Sequence, residues 1–343
     1  MYSESDIEGA VTAGAITPDA AAALRRHIAA TRDAPAVDEE SFRLLTGFND
    51  IFVSIAIALL LVALGQIGAS RSVALAGAAV AAASWLLAEY FTKRRRMALP
   101  SILLLLGFVG GVAWALVGVM IDLGGDPSER AQAMIGAGIG LVTAGAAWLH
   151  WRRFMVPVTV AAGALALVAM VVSLVIAAIP AAREAVYAIT LAGGVAVFAL
   201  AMWWDMSDPV RVTRRADVAF WLHLAAAPLI AHPVFQMLGV LDNDGSAGTG
   251  VIVLALYLLF GFVALAIDRR ALLVSSLVYV LYAMYAIIRS AGGVELSAAI
   301  TGLIIGSALL ILSAFWHPMR RLVIGTLGDV GRRLPPVSAL AVA

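Results

Sequence analysis

From Asn49 onward, the sequence alternates apolar stretches of about 20 residues with short polar connections. A helix of about 20 apolar residues crosses the ~30 Å hydrocarbon core of a bilayer and satisfies its backbone hydrogen bonds internally. The pattern therefore predicts an all-α, polytopic α-helical membrane protein with about ten transmembrane helices. The predicted spans are 50–69, 72–92, 99–121, 131–150, 155–179, 185–204, 217–239, 249–267, 271–289 and 295–316.

The composition excludes several protein classes. The chain is 62% hydrophobic and 13% charged, whereas soluble domains are about 45–50% apolar and about 25% charged. Because there are no cysteines, disulfides, thiolate metal sites and cysteine nucleophiles are excluded. No catalytic, metal-binding or nucleotide-binding motif is present, and arginine placement follows topology. We therefore expect no enzyme activity, metal ion, cofactor or nucleic-acid partner.

The basic residues predict the orientation in the membrane. Of the 23 Lys and Arg residues, 19 fall in the N-terminal segment, in the connections after every second span and in the C-terminal tail. Only 4 fall in the other connections. By the positive-inside rule, both termini are predicted to be cytoplasmic.

Three regions are predicted. Residues 1–48 form a small cytoplasmic helical-hairpin leader, which carries eight acidic residues and a helix that begins at Pro18. Residues 49–317 form the ten-helix domain. Residues 318–343 form a cytoplasmic tail, predicted as an amphipathic helix on the anionic inner leaflet or, alternatively, as a docking segment for a partner. Its apolar positions at helical spacing are Met319, Leu322, Val323, Leu327 and Val330.

Two repeats are compatible with the pattern. Arginine pairs recur about every 55 residues, which suggests a helical-hairpin repeat, although inside connections attract arginine in any case. A five-plus-five division instead gives an inverted repeat. Close helix contacts are predicted at Gly107-x-x-x-Gly111, Gly136-x-x-x-Gly140 and Gly302-x-x-x-Gly306.

The seventh span holds the main functional candidates. It contains His223 and His232. Pro228 lies between the two histidines, and Pro233 directly follows His232. Ionisable groups inside a membrane are costly and mark functional sites, and each proline deletes a backbone hydrogen bond. The pattern favours a proline-broken helix with His223 as proton carrier or ligand. The structural alternative is a histidine bonded to a neighbouring carbonyl.

A polar line on the ninth span is the second candidate. Tyr279, Tyr282, Tyr285 and Arg289 lie three or four residues apart and share one helix face. They either bind a solute or form a helix seam with an interfacial arginine. Weaker candidates are Asp50, Glu89 and Asp217. Because Glu89 lies one turn before Lys93 and Arg94, the sequence favours a salt-bridged carboxylate at the membrane boundary over a buried proton site.

The connection 203–217 mixes three acids and three arginines. It is predicted to form a salt-bridged clasp against the leader or the tail, with a cytoplasmic gate as the alternative.

Several segments resemble a family of bacterial multi-pass membrane proteins. The leader stretch 7–18 resembles their Gly-x-Ile-Thr hairpin, and Glu89 before Arg94–Arg96 and Trp221-Leu222-His223 are also similar. The resemblance implies a short helical leader before about ten spans in the bacterial cytoplasmic (inner) membrane. It implies no activity.

The sequence favours a secondary transporter or permease of an unknown small solute or ion. The alternative is a non-transport membrane sensor, scaffold or assembly factor that acts through its leader and tail. Besides the lipid bilayer, a cytoplasmic protein partner and a homo-oligomer are compatible with the sequence.

Overall fold

The structure, a computed structural model, describes residues 4–31, 48–209, 211, 213–239, 247–270, 272–274, 277–278, 280–281, 284–285, 297–331 and 333–335. All regular elements in these residues are helical. The chain divides into two compact units, Met1–Phe42 and Arg43–Ala343, which are taken separately.

The first unit contains two short helices, α1 (Glu4–Thr12) and α2 (Pro18–Thr31). The turn between them uses Gly14 at φ 71°. Thr17 caps α2, since its Oγ1 accepts a hydrogen bond from the Ala20 amide at 3.1 Å. The predicted helix start at Pro18 is therefore confirmed.

The second unit is a bundle of long helices joined by short connections. It also contains a π-helical turn, Glu89–Arg94, and a 3₁₀ turn, Pro180–Ala185. The remaining described residues between 272 and 285 are also helical. The helices are α3 (Phe48–Ala69), α4 (Val73–Ala88), α5 (Ala98–Leu123), α6 (Glu129–Phe154), α7 (Val158–Ala178), α8 (Val186–Met206), α9 (Arg214–Met237), α10 (Ala247–Ile267), α11 (Ser297–Ala314) and α12 (Trp316–Gly331).

Seven helices in the described part of the chain are long and apolar enough to cross a membrane, or eight if the bent pair α11–α12 counts as one span. These seven, α3 to α9, coincide with the first seven predicted spans. The eighth predicted span corresponds to α10, and most of the ninth lies outside the described residues. The protein is thus an α-helical membrane protein, and ten spans remains a prediction.

Antiparallel pairs are the packing unit of the bundle. The most extensive contacts join α4 to α5, α6 to α7 and α8 to α9. In the first pair, a Cβ added to Gly111 would lie 2.7 Å from the Ala81 backbone nitrogen. In the second, a Cβ on Gly140 would lie 2.9 Å from Met170, so the backbones approach closely in both pairs.

The two helices of each pair are joined at one end of the bundle, which we call the arginine-rich end. Each of these three connections contains a non-glycine residue in the left-handed region: Arg96, Met155 and Arg211. Asp268, which follows α10, has the same conformation, and φ of all four lies between 52° and 56°. They recur at intervals of 56 to 59 residues. The recurring turn supports a helical-hairpin repeat of this length.

At the opposite end, a carboxylate fixes the α3–α4 connection. The Asp122 oxygens accept hydrogen bonds from the Val73 and Ala74 amides at 3.1 and 2.9 Å. These amides belong to the first turn of α4, where the helix supplies no partner. The last turn of α5 thereby caps the helix against which it packs.

Candidate functional site at the arginine-rich end

The candidate site begins with a histidine and a carboxylate that face each other across the α8–α9 pair. His223 Nε2 lies 3.3 Å from Asp205 Oδ2, and both side chains are almost fully buried. The ring of Phe198 lies against the imidazole with its centroid 5.2 Å away. His223 Nδ1 has no hydrogen-bond partner among the described residues. One ring nitrogen is thus anchored and the other is left without a partner.

Arg269 occupies the other side of the Asp205 carboxylate. Its Nε donates to Asp205 Oδ2 at 2.9 Å, and its Nη2 donates to Oδ1. The same Nη2 also donates to the Ala216 carbonyl at 3.2 Å. This two-pronged geometry is the one that suits a guanidinium best. Because Arg269 follows α10, the contact ties three helices together.

Arg211 folds back from the α8–α9 connection into the same cluster. Its guanidinium donates to the Ile267 carbonyl at 2.8 Å and to the Asp268 carboxylate at 3.2 Å. Its Nε lies 3.4 Å from Asp205 Oδ1. The left-handed backbone at Arg211 turns the chain so that this side chain, only 3% exposed, points into the bundle. Arg211 therefore bridges the two acids.

Asp268 connects the cluster to the C-terminal helix. Its Oδ1 accepts a hydrogen bond from Trp316 Nε1 at 2.6 Å and lies 3.8 Å from Arg320 Nε. Trp316 and Arg320 are 2% and 3% exposed. The guanidinium of Arg270 also covers the Trp316 ring at 4.8 Å. The first turns of α12 are thus held to the end of α10.

These residues form one interconnected group, which we call the charge cluster: Asp205, Arg211, His223, Asp268, Arg269, Trp316 and Arg320. Removing such charges from water costs several kcal/mol per ion unless partners replace the lost hydration. Here each carboxylate accepts from more than one donor, and the acids and guanidiniums alternate in space. The cluster consequently stabilises one relative position of α8, α9, α10 and α12.

The structure separates the two candidate histidines of the seventh span. α9 runs continuously from Arg214 to Met237 with Pro228 and Pro233 inside it, so the predicted break is not observed. His223 faces the interior, whereas His232 is exposed and its ring lies 6.0 Å from that of Tyr187. Nine residues at about 100° each place the two on opposite faces of a straight helix. They do not share a site.

The other predicted residues lie apart from the cluster or outside the described residues. Tyr279, Tyr282 and Arg289 are among the latter, and Tyr285 is exposed. The polar line on the ninth span therefore stays a prediction.

The three weaker candidates, Asp50, Glu89 and Asp217, are not members of the charge cluster. Asp50 is buried near the start of α3. Glu89 pairs with Arg153 at 2.7 Å and with Lys93 at 3.9 Å, which makes it the salt-bridged boundary residue that the sequence favours. Asp217 is exposed in the first turn of α9.

A second buried histidine lies in α6. His150 is fully buried, and its Nδ1 is 3.2 Å from Thr159 Oγ1 on α7. The rings of Phe154, Phe108 and Trp85 surround it with centroids 4.6, 5.8 and 6.2 Å away. Aromatic packing and one hydrogen bond hold this histidine in the α4–α7 region, and its Nε2, like Nδ1 of His223, has no hydrogen-bond partner among the described residues.

Sequence reasoning missed most of the charge cluster. Asp205 and Arg211 were predicted as parts of a linker clasp, and Arg269 was attributed to topology. The predicted clasp of the 203–217 connection against the tail is observed in part, because Asp268 links Arg211 to Arg320. The available signal was that Asp268 and Arg269 follow an apolar span directly.

Two cavities of the described residues differ in their lining. An apolar groove of about 430 Å³ lies between α7 and α8 and is lined by residues such as Ala164, Val168 and Gly193. A groove of about 380 Å³ in the first unit is lined partly by Glu8, Thr12 and Arg25. Among the described residues, no three His, Cys, Asp or Glu side chains are grouped in a way that holds a metal ion.

Comparison of the chain with protein-family models, curated proteins and solved structures found no match.

Proposed function

We propose that this integral membrane protein is a secondary transporter or permease of a small solute or ion, with His223 and Asp205 as its coupling pair. The observation that carries the proposal is the buried contact between His223 of α9 and Asp205 near the end of α8, two helices long and apolar enough to cross a membrane. Ionisable groups in such positions are rare and commonly belong to ion pathways or proton relays.

The charge balance around Asp205 gives the pair a coupling property. Arg211 and Arg269 already neutralise this carboxylate. The other acids nearby in the sequence are Asp208, in the α8–α9 connection, and Asp217, in the first turn of α9. A proton on His223 adds a third cation beside one carboxylate, and like charges repel. Protonation therefore weakens the arginine contacts that hold the α8–α9 connection against α10. Proton or ion binding is in this way linked to movement at the arginine-rich end.

Access of water to His223 tests the proposal without knowledge of the solute. Because the chain has no cysteines, single variants are labelled specifically. We expect Ala227→Cys, one turn from His223 and buried in the structure, to react with a membrane-impermeant thiol reagent in intact vesicles when a pathway opens. Asp126→Cys, in the exposed connection between α5 and α6, is the labelling control. Failure of Ala227→Cys to react from either side contradicts transport through this site.

Flux measurements give the second test. Reconstituted protein is screened for solute-driven currents, and His223→Gln is compared with wild type at equal protein content. We expect at least a tenfold lower current, because glutamine keeps polarity but loses the titratable nitrogen. Gly110→Ala serves as the matched control. Equal currents in wild type and His223→Gln remove the histidine from the mechanism.

A second candidate function is a non-transport sensor, scaffold or assembly factor. The closely packed helix pairs favour it. In that case the charge cluster is a static clasp. The cysteine experiment distinguishes the two candidates, since a static clasp leaves position 227 unreactive.

A further inference from the structure

The last helix presents three different faces. One face packs inward, with Trp316, Arg320, Val323 and Ile324 buried. A second face is apolar yet exposed: Phe315 just before α12, then Met319 and Leu322, are 55%, 42% and 71% exposed. At about 100° per residue these three share one side of the helix, about 110° from the centre of the buried side, whereas Val330 lies beyond a kink at Gly328.

The third face is polar. His317 and Arg321 are exposed and lie on the remaining side of α12. α12 therefore has one side that packs on the protein, an apolar side that faces a second surrounding, and a charged side that faces water. The sequence-based prediction put Met319, Leu322, Val323, Leu327 and Val330 on a single apolar face, whereas the structure assigns Val323 to the protein side.

The position of α12 identifies the second surrounding. α11 is the predicted tenth span, and α12 continues from it after a bend of 76° at Phe315. A helix that turns by this angle on leaving a span runs along the membrane surface. The exposed apolar face begins at Phe315, so it is continuous with the lipid-facing surface of α11. Exposed arginines at the same end of the bundle, among them Arg152, Arg214 and Arg215, match an anionic leaflet in charge.

We propose that α12 lies in the headgroup region of an anionic phospholipid leaflet and acts as a latch on the charge cluster. Lipid holds its apolar face, and this orientation keeps Trp316 and Arg320 on Asp268. Withdrawal of α12 from the leaflet removes Trp316 and Arg320 from Asp268, which is also the partner of Arg211. The inference goes beyond transport and does not depend on which solute, if any, the protein moves.

Spin labels on the cysteine-free chain test the location of α12. Leu322→Cys and Arg321→Cys are labelled in full-length protein and reconstituted into vesicles of phosphatidylcholine with phosphatidylglycerol. The label at 322 should be more accessible to oxygen than to a water-soluble nickel chelate, and the label at 321 should show the reverse ratio. Chelate-accessible labels at both positions overturn the proposal. A label at 322 that is shielded from both reagents indicates a protein interface, such as a second copy, and overturns it as well.

A second measurement tests the latch. Asp268→Asn keeps the size of the side chain but removes the charge that Trp316 and Arg320 contact. We expect the label at 322 to become at least twofold more mobile in this background. We expect the same change for Leu322→Cys alone when phosphatidylglycerol is omitted from the vesicles. Glu129→Gln, which removes an exposed carboxylate paired with Arg183, is the control. Unchanged mobility in Asp268→Asn contradicts the latch while leaving the transport proposal to its own tests.

Discussion

At the scale of single residues, the Asp205 carboxylate is the point on which the arginine-rich end depends. It accepts from Arg269 and contacts Arg211 and His223, and its side chain is 1% exposed. A buried carboxylate is tolerated when its partners are complete, and losing one of them leaves charge uncompensated. The contribution of Asp205 to the stability of the protein therefore depends on the presence of all its partners together.

Loss of Arg269 should destabilise the protein strongly. Arg269→Gln removes the two-pronged partner of Asp205, and breaking a buried pair from one side costs about 3–5 kcal/mol. The measurement is thermal unfolding in detergent. In Asp205→Asn/Arg269→Gln both charges are gone, so we expect a smaller loss than in the single variant.

The exposed Arg183–Glu129 pair is a suitable comparison, since its ion-pair distance is 2.7 Å although both side chains are more than 60% exposed. Exposed pairs contribute little, so Arg183→Gln should leave the unfolding temperature nearly unchanged. If Arg183→Gln and Arg269→Gln have equal effects, burial is not what gives Asp205 its importance.

The sequence signal was local for two residues. His223 stands out as a histidine inside an apolar stretch, and its functional role stays a prediction. The pairing of Glu89 at the membrane boundary is confirmed. Arg269 was not recognised, because its partner lies 64 residues away and the positive-inside rule already explained an arginine there. Partners distant in sequence leave no mark in local composition.

At the scale of helices, the pairs depend on glycines that let backbones touch. Gly111 is such a position on α5, because a Cβ there would lie 2.7 Å from the Ala81 nitrogen of α4. The neighbouring Gly110 has nothing within 4 Å of the same added atom. The two glycines therefore provide a matched test of the seam.

We expect Gly111→Ala to lower stability by about 1–3 kcal/mol, the usual cost of overpacking a well-packed contact. Gly110→Ala should be neutral or slightly stabilising, since alanine favours helix over glycine. Thermal unfolding of both variants in one detergent measures the difference. Equal behaviour of the two would mean that α4 and α5 do not approach as closely as described.

The small-residue motifs were predictive for these helices. Gly107 and Gly111 meet α4, and Gly136 and Gly140 meet α7, as the four-residue spacing indicated. Gly302 and Gly306 have no atom within 4 Å of an added Cβ among the described residues. The continuity of α9 through two prolines was not predictable, because packing rather than sequence decides whether a proline bends a membrane helix.

At the scale of the whole molecule, the bundle is a series of helix pairs with looser joints between them. The connection between α5 and α6 contains Gly124 and Gly125 in left-handed conformations and is exposed. Two contacts cross this joint: the rings of His150 and Phe108 pack together, and Arg153 forms a salt bridge with Glu89.

Division of the chain in this connection should yield fragments that reassemble. We expect fragments 1–125 and 126–343, produced together, to co-purify through a tag on the second fragment. A break at 209, inside the α8–α9 pair, should reduce recovery at least severalfold, because it separates Arg211 from the helix that carries Asp205. Equal recovery from both divisions would contradict the pair as the unit of assembly.

The long sequence separations within the charge cluster also have a consequence for biosynthesis. Asp205 and His223 leave the ribosome well before Arg269, and Trp316 follows Asp268 by 48 residues. Until those later residues are made, an acid lies at the end of a completed membrane helix without its main counterion. The nascent protein is in this sense electrostatically incomplete until α12 emerges and supplies Trp316 and Arg320 to Asp268.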